Sequence, residues 1–243
     1  MVGPFWRYYG GKWRAAPRYP APRRGVIVEP FAGAAGYACR YPSHDVLLIE
    51  IDPRIAAIWR WLIGATYDEI VSVPDVPDGG TVDDIDAPQA ARDLVGFWCS
   101  NGVAQPCKSP SKWCREYAAV TGWRMYRERI ATDAQRIKHW RIIEGSYADA
   151  PDLDACWFVD PPYQTPAGRH YKHSDIDYGH LGEWCDGRRG QVIACDQEGS
   201  TWRAWNHSAT MKASTHNAGE GRVSREVFWT NDEPLRLFGG VHA

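Results

Sequence analysis

The stretch that decides the fold is Ala155-Cys156-Trp157-Phe158-Val159-Asp160-Pro161-Pro162-Tyr163. Its first five residues are apolar and predict a buried strand, which ends at Asp160 because the two prolines cannot continue a β-ladder. Ligands of open α/β sheets bind just beyond the carboxyl ends of the strands. Asp160, a carbonyl held rigid by the prolines and the ring of Tyr163 therefore form a candidate binding set. The alternative interpretation is an ordinary strand that ends in a Pro-Pro turn with a solvated aspartate.

The composition predicts a globular α/β protein with a substantial core. The 243 residues are enough for one large domain, or for one domain that carries an insert. Hydrophobic residues make up 44% and charged residues 24% of the chain, which are ordinary proportions for a protein that buries a core. The sequence has no run of about 18 apolar residues that would predict a membrane span, and the first residues lack the apolar segment of a signal peptide. We therefore expect a cytoplasmic protein that does not bind membranes.

The cysteines are expected to be free thiols. They are seven, an odd number, and no secretion signal accompanies them. None of them forms the C-x2-C pair that commonly nucleates a zinc site, so we expect no bound metal.

Basic residues are concentrated in two segments, although the net charge is only −2. The first 28 residues contain no acid, and residues 103–141 contain more basic than acidic side chains. Residues 68–93, by contrast, are strongly acidic. A phosphate backbone responds to local charge, so the two basic segments are candidate contacts for a nucleic acid. Ordinary solvated surface charge is the alternative.

Two further predicted strands carry polar residues at their carboxyl ends. Residues 26–28 are apolar and lead into Glu29-Pro30-Phe31-Ala32-Gly33-Ala34-Ala35-Gly36, a loop of small residues that lets backbone approach a nucleotide-like ligand. Small residues here would also suit close packing of a helix on the sheet. Residues 46–49 form the second strand, and Glu50 at its end stands where an acid holds ribose hydroxyls. A strict G-x-G-x-x-G motif is missing, so a dinucleotide is not favoured.

The remaining pattern alternates between strands and helices, with one interruption. The other predicted elements are a helix from Pro53, helices at 89–98, 121–140 and 180–186, and strands at 141–144, 191–195, 210–213 and 223–229. The last two strands are predicted to pair around a loop at 219–221. Residues 64–141 break the alternation with loops, and we interpret them as an insert.

Five motifs, in their order along the chain, resemble those of the Dam-type, or alpha-class, DNA adenine-N6 methyltransferases. They are Tyr8-Tyr9-Gly10-Gly11-Lys12, the loop at 29–36, Glu50, Ser146-Tyr147-Ala148-Asp149 and Asp160-Pro161-Pro162-Tyr163. Other amino-methyltransferase classes carry such motifs in a different order. The resemblance implies an α/β fold with a Rossmann-like, S-adenosylmethionine-dependent methyltransferase sheet. It also implies a catalytic domain of residues 1–63 and 142–243, with a helical and loop target-recognition insert of residues 64–141.

The resemblance further implies which residues hold S-adenosylmethionine. Lys12 would order the N-terminal loop near the methionine end of the cofactor. Glu50 would hold the ribose hydroxyls, although family members often carry aspartate there, and Asp149 would contact the adenine. The implied cofactor-binding residues are Tyr8, Lys12, Pro30, Phe31, Ala32, Gly33, Glu50, Asp149 and Asp160.

The implied reaction moves a methyl group to the exocyclic amine of an adenine that has been flipped out of duplex DNA. This amine is a weak nucleophile because its lone pair is delocalised into the ring. Asp160 and the Pro161 carbonyl would accept hydrogen bonds from its two N–H groups and so localise the lone pair on the nitrogen. Tyr163 would stack on the base. Asp160, Pro161 and Tyr163 are thus the implied catalytic residues.

The basic segments then have an expected partner, which is double-stranded DNA. The residues expected to contact it are Arg7, Arg14, Lys108, Lys112, Arg124 and Arg127. We expect a bacterial or phage-encoded enzyme without an obligate protein partner. Two alternatives stay open: a methyltransferase of RNA adenine or of the cytosine N4 amine, and a catalytically inactive relative that only binds DNA.

Overall fold

The fold is built on one mixed, seven-stranded sheet. The computed structural model describes residues 1–117, 122–212 and 223–232. Its strands are β1 (Val26–Glu29), β2 (Asp45–Glu50), β3 (Arg141–Glu144), β4 (Asp154–Val159), β5 (Arg189–Gln197), β6 (His207–Lys212) and β7 (Val223–Thr230). They lie in the order β3-β2-β1-β4-β5-β7-β6, with β7 antiparallel to both neighbours and the other pairs parallel. The first five positions follow the doubly wound order, so the predicted Rossmann-like sheet of an α/β fold is confirmed.

Both faces of the sheet are buried, which explains the apolar runs that predicted its strands. Alternate residues of β4 point to opposite faces, so Cys156 and Phe158 belong to one hydrophobic cluster and Trp157 to another. Every residue from 155 to 159 is buried. The strand lies in the middle of the sheet, between β1 and β5, and it presents Asp160 at its carboxyl end.

Six α-helices flank the sheet in the described part of the chain. They are α1 (Pro53–Gly64), α2 (Tyr67–Ser72), α3 (Gln89–Trp98), α4 (Lys112–Glu116), α5 (Trp123–Ala134) and α6 (Tyr178–Asp186). α1 begins at Pro53 as predicted, and the carboxylate of Asp52 caps it by accepting a hydrogen bond from the backbone N–H of Arg54. α3 has the predicted bounds.

The helix predicted over residues 121–140 is shorter than expected. α5 ends at Ala134 and is followed by a 3-10 turn, Gln135–Ile137. Residue 121 lies outside the described residues. Two short helices, α2 and α4, were not predicted, because six and five residues give too little periodicity to identify a helix.

Within residues 64–141, helices α2, α3 and α5 share one hydrophobic core with α1 and the sheet. α2 packs on α5, and α1 packs on α3. Trp59, Phe97 and Trp123 are buried in the same cluster as Phe158 of β4. The division into a catalytic domain and a target-recognition insert stays a prediction.

The far end of the sheet is formed by β6 and β7, which pair in antiparallel fashion as predicted. Residue 213 and the predicted loop at 219–221 lie outside the described residues. α6 covers one face of the sheet, where Leu181 and Trp184 pack in the cluster of Trp157. No helix among the described residues has the length and apolar character needed to cross a membrane.

Candidate active site

A cavity of about 350 Å³ opens at the carboxyl ends of β1, β2 and β4. Its walls come from the loop after β1, the tip of β2, the residue after β4, the N-terminal loop and a segment that follows Tyr163. Eight of the predicted cofactor-binding residues line it, namely Tyr8, Lys12, Pro30, Phe31, Ala32, Gly33, Glu50 and Asp160. They come together because neighbouring parallel strands end at one edge of the sheet. The volume is that of a small-molecule site, for which about 300–1,000 Å³ is usual.

The loop after β1 brings its backbone to the cavity because Gly33 adopts a positive φ of 45°. A Cβ atom at this position would lie 2.8 Å from Cε1 of Tyr8, so the tyrosine ring occupies the space that a side chain would need. The Gly33 carbonyl accepts a hydrogen bond of 2.8 Å from the indole N–H of Trp59, which fixes the loop on α1. The loop therefore presents bare backbone, flanked by an aromatic ring, to the cavity.

Glu50, at the tip of β2, is buried, and backbone N–H groups hold both of its carboxylate oxygens. Oε2 accepts from Gly33 at 2.8 Å, and Oε1 accepts from Asp52 at 2.9 Å. Burial raises the pKa of Glu50 to about 7, and these hydrogen bonds limit the rise. Each oxygen keeps a further lone pair, so the side chain is able to accept two hydroxyl groups from a ligand.

Glu29 is a second buried acid in the cavity wall, at the tip of β1. Its Oε1 accepts a hydrogen bond of 2.6 Å from the backbone N–H of Ala38. Burial raises the pKa of Glu29 to about 8. The sequence places Glu29 at the start of the predicted cofactor loop, but its carboxylate was assigned no role, although the signal that marked Glu50, an acid at the carboxyl end of a strand, is present here too.

Asp160 forms an ion pair with Lys12 of the N-terminal loop. The Nζ atom of Lys12 lies 2.8 Å from Oδ1 of Asp160 and donates to the carbonyl of Gly10 at 3.0 Å. The side chains are 3% and 19% exposed, respectively. Burial alone would lower the pKa of Lys12, but Asp160 raises it well above its ordinary value. Asp160 is thus a paired acid in a cavity wall rather than the solvated side chain of an ordinary turn.

The two oxygens of Asp160 have different surroundings. Besides Lys12, Oδ1 receives a hydrogen bond of 3.3 Å from the thiol of Cys195 on β5. Within the described residues, no hydrogen bond reaches Oδ2. Burial raises the pKa of Asp160, and Lys12 opposes the rise. Oδ2 is therefore the atom left to accept a hydrogen bond from a ligand.

The other two predicted catalytic residues lie next to the cavity. Pro161 is buried, and neither it nor Tyr163 is among the described residues that line the cavity wall. The hydroxyl of Tyr163 donates to Oε1 of Glu226 on β7 at 3.0 Å, and its ring lies 4.8 Å from Nζ of Lys12. Glu226 also accepts a hydrogen bond from the hydroxyl of Tyr19. Sequence reasoning missed Glu226 and Tyr19 because both are distant from Tyr163 along the chain.

A segment after Tyr163, residues 171–176, covers the cavity. The hydroxyl of Tyr171 donates to the carbonyl of Tyr9 at 2.9 Å, which fastens this segment to the N-terminal loop. Nε2 of His173 is buried and has no hydrogen-bond partner among the described residues. Since His173 also lines the cavity, this nitrogen is a candidate contact for a ligand. Sequence reasoning assigned no role to residues 171–176.

Asp149 is the one predicted cofactor-binding residue that the structure does not bring to the cavity wall. Its carboxylate caps a 3-10 turn by accepting a hydrogen bond of 2.7 Å from the backbone N–H of Ser146. Ser146 and Tyr147 line the cavity at this corner, and the ring of Tyr147 stacks on Phe31 at 5.2 Å. The contact between Asp149 and an adenine stays a prediction.

The predicted insert reaches the cavity through one loop. Nε2 of Gln105 donates to Oδ2 of Asp52 at 2.9 Å, and both residues line the cavity. The backbone N–H of Tyr9 donates to the Val103 carbonyl at 3.2 Å. The insert is thus joined to the N-terminal loop and to the start of α1.

The residues predicted to contact DNA fall into two groups. Those exposed on the surface are Arg14, Lys108, Lys112 and Arg124. The guanidinium of Arg7 instead lies 4.9 Å from the ring centre of Trp98 and 5.6 Å from those of Trp113 and Tyr126, while Arg127 is half-buried. An arginine held among rings is less free to reach a phosphate. DNA contact stays a prediction for all of them, and the exposed group is the better placed.

Comparison with known proteins adds little to this description. No family model matches the chain, and no curated protein shows significant similarity to it. Among solved structures, it is similar to a protein from Haemophilus influenzae that is provisionally assigned as a methylase. The two share 11% identity over 84% of each chain, with a TM-score of 0.32. A likeness of this degree is no basis for inference.

Proposed function

We propose that this protein is an S-adenosylmethionine-dependent methyltransferase that modifies the N6 amine of adenine in double-stranded DNA. The observation that supports this most is that Gly33, Glu50 and Asp160 line one cavity. Gly33 offers exposed backbone and Glu50 offers an acid for ribose hydroxyls, so these two residues suit a cofactor. Asp160 offers an acid for the amine of a substrate bound in the same cavity. The order of the sequence motifs supports adenine in DNA as the substrate.

The residues of the cavity fit the proposed cofactor. Gly33 lets the ring of Tyr8 lie against the backbone of the loop because it has no side chain, and Glu50 keeps two lone pairs for ribose hydroxyls. Tyr8 packs against Gly33, and Pro30 to Ala32 complete this side of the wall. When bound, S-adenosylmethionine supplies an electrophilic methyl group on a positively charged sulfur.

Asp160 is proposed to make the adenine amine more reactive. Its Oδ2 and the carbonyl of Pro161 accept hydrogen bonds from the two N–H groups of the amine, and these bonds localise the lone pair on the nitrogen. Lys12 and Cys195 hold Oδ1, so the acceptor is fixed before the substrate arrives. Acceptors fixed in advance supply much of the acceleration in enzymes, because no reorganisation is needed during the reaction.

Access to Asp160 requires an adenine that has left the duplex. Flipping costs a few kcal/mol, and stacking on the ring of Tyr163 is proposed to recover about 1–3 kcal/mol per base. Lys108 and Lys112 are proposed to hold phosphates, since they are exposed and belong to the predicted recognition insert.

The experiment that tests this proposal is a substrate panel. The purified protein is incubated with methyl-labelled S-adenosylmethionine and duplex DNA, single-stranded DNA or RNA, and each product is digested to nucleosides and separated. We expect the label in N6-methyladenine from duplex DNA. Label in N4-methylcytosine, or in RNA alone, would contradict the proposed substrate. Bound cofactor and bound DNA without any transfer would identify an inactive relative.

A further inference from the structure

Glu226 is a buried acid that the sequence motifs leave without a role. It lies on β7, opposite Gln197 at the carboxyl end of β5, and β5 is the neighbour of β4. The antiparallel strand therefore delivers an acid to the edge where Asp160 stands. The residue is only 7% exposed, and a carboxylate at that depth is costly unless it is hydrogen-bonded or paired.

The partners of Glu226 include two residues of the candidate site, Tyr163 and Lys12. The hydroxyl of Tyr163 donates to Oε1 at 3.0 Å, the hydroxyl of Tyr19 donates to Oε2, and Nζ of Lys12 lies 4.0 Å from Oε1. Lys12 thus stands between two carboxylates, at 2.8 Å from Asp160 and 4.0 Å from Glu226. None of these three partners, Tyr163, Tyr19 and Lys12, is an exposed surface side chain.

Glu226 restrains both groups that border the reactive acid. Tyr163 is held at its backbone by the preceding prolines and at its tip by Glu226, so its ring has one orientation, 4.8 Å from Nζ of Lys12. Lys12 is attracted by both acids, and this attraction restricts its ammonium group to the space between them. Errors of about 1 Å in such positions cost on the order of 100-fold in rate.

We infer that Glu226 is a positioning residue of the proposed methyl-transfer site, acting through the ring of Tyr163 and the ammonium of Lys12. The inference rests on the proposed function, since it assigns Tyr163 and Asp160 to the flipped base. Glu226 itself does not line the cavity and is not expected to touch cofactor or substrate.

The charge of Glu226 also acts on Asp160. Burial raises the pKa of Asp160, Lys12 lowers it, and Glu226 raises it further. In the part of the chain that the structure describes, Cys195, Glu29, Tyr8, Tyr163 and Tyr171 also interact electrostatically with Asp160. Removing the negative charge at 226 favours the ionised form of Asp160. Its pKa then falls, and an activity that needs ionised Asp160 extends to lower pH.

The test compares Glu226→Gln and Glu226→Ala with the control Glu198→Gln. Glu198 is 56% exposed and pairs with Arg225 at 3.4 Å on the surface of the same pair of strands. For each protein, kcat, both KM values, cofactor affinity and melting temperature are measured. The titration of Asp160 is followed by NMR with carboxyl-labelled aspartate, and the Asp160→Asn variant assigns its signal.

We expect Glu226→Gln to lower kcat roughly 10- to 100-fold, with cofactor affinity and melting temperature close to wild type. Both the acid limb of the rate profile and the Asp160 titration should move to lower pH. Glu198→Gln should match wild type. An unchanged kcat and titration in a folded Glu226→Gln variant would overturn the inference, as would a parallel loss of cofactor affinity. Wild-type protein that transfers no methyl group would refute the proposed function instead, while the NMR titration still decides whether Glu226 acts on Asp160.

Discussion

Glu50 and Asp160 meet the same cavity, yet different partners hold them. Glu50 depends on two backbone N–H groups, and burial raises its pKa to about 7. Asp160 depends on the ammonium of Lys12, which opposes the effect of burial on its pKa. Hydrogen bonds and a paired cation are two ways to offset the cost of burying a carboxylate. The proposed contact between Glu50 and the ribose hydroxyls is therefore expected to weaken near pH 7, where Glu50 becomes protonated.

The first prediction concerns cofactor binding between pH 7.5 and pH 6. Ribose hydroxyls donate to the ionised form of Glu50, and this form is lost as pH falls through a pKa of about 7. The affinity for S-adenosylmethionine should therefore fall roughly tenfold over this interval, as the ionised fraction does. Calorimetric titration at a series of pH values measures it.

The matched control for Glu50→Gln is Glu144→Gln. Glu144 is the residue opposite Glu50 in the register of β2 and β3, but it is exposed and pairs with Arg60 on the surface. Glu50→Gln should bind weakly with no dependence on pH, and Glu144→Gln should keep the tenfold change. Equal affinity of the wild-type protein at both pH values would show that Glu50 does not hold the cofactor.

At the level of single residues, sequence predicted the groups that occupy strand ends and little of what holds them. Glu50 and Asp160 were identified because each follows an apolar run, and Gly33 because it lies in a loop of small residues. Cys195 and Glu226 were missed, since their contacts with the site arise from the pairing of β4, β5 and β7. Such contacts depend on tertiary structure and leave no local pattern.

At the level of elements, the loop after β1 shows how a backbone conformation determines a site. Gly33 has a φ of 45°, and its missing Cβ would lie against the ring of Tyr8. An L-residue in the left-handed region costs roughly 1–2 kcal/mol. Alanine at this position therefore meets both backbone strain and a steric contact.

The second prediction is that Gly33→Ala lowers the free energy of unfolding by about 1–2 kcal/mol and weakens cofactor binding at least about tenfold. Denaturant unfolding and calorimetric titration measure the two effects. The control is Gly25→Ala, because no heavy atom lies within 4 Å of a Cβ built at Gly25 and its φ is not positive. Wild-type affinity in Gly33→Ala would mean that this loop does not border the cofactor.

The elements themselves were predictable where the sequence is strongly patterned. β4 and β5 contain continuous apolar runs at 155–159 and 192–195, and α1 has a proline at its first position with an apolar stripe behind it. α2 was missed even though Thr66 and Glu69 form a capping box before and within it. A cap without a long periodic stretch was not enough to identify the helix.

At the level of the whole molecule, much of the basic charge is used internally. Arg129 pairs with Asp133 at 2.9 Å, and Arg7 lies among aromatic rings. Lys108 and Lys112 are 81% and 88% exposed, with acidic neighbours at 3.3 and 3.8 Å. Exposed pairs contribute only about 0–1 kcal/mol, so a phosphate can replace the acid. The charge pattern of the sequence could not distinguish the basic residues that are paired or packed within the protein from those that are exposed.

The third prediction is that alanine at Lys108 or Lys112 weakens DNA binding to a similar degree on any sequence. Each change should also reduce the slope of log affinity against log salt by about 1, because one phosphate contact is lost. Fluorescence anisotropy over a range of salt concentrations measures both. Arg189→Ala is the control, since Arg189 is 63% exposed but lies at the start of β5, away from the cavity. Unchanged slopes in both lysine variants would exclude these residues from the DNA interface.

The central claim is that Asp160 prepares an adenine amine for methyl transfer. The most direct measurement is single-turnover transfer from labelled S-adenosylmethionine to duplex DNA by wild-type protein and by Asp160→Ala, with cofactor and DNA binding measured on the same samples. We predict that the variant transfers at least about 100- to 1,000-fold more slowly, the loss seen when one preorganised contact to a reacting group is removed. DNA binding should stay close to wild type. Transfer at the wild-type rate by Asp160→Ala would contradict the account.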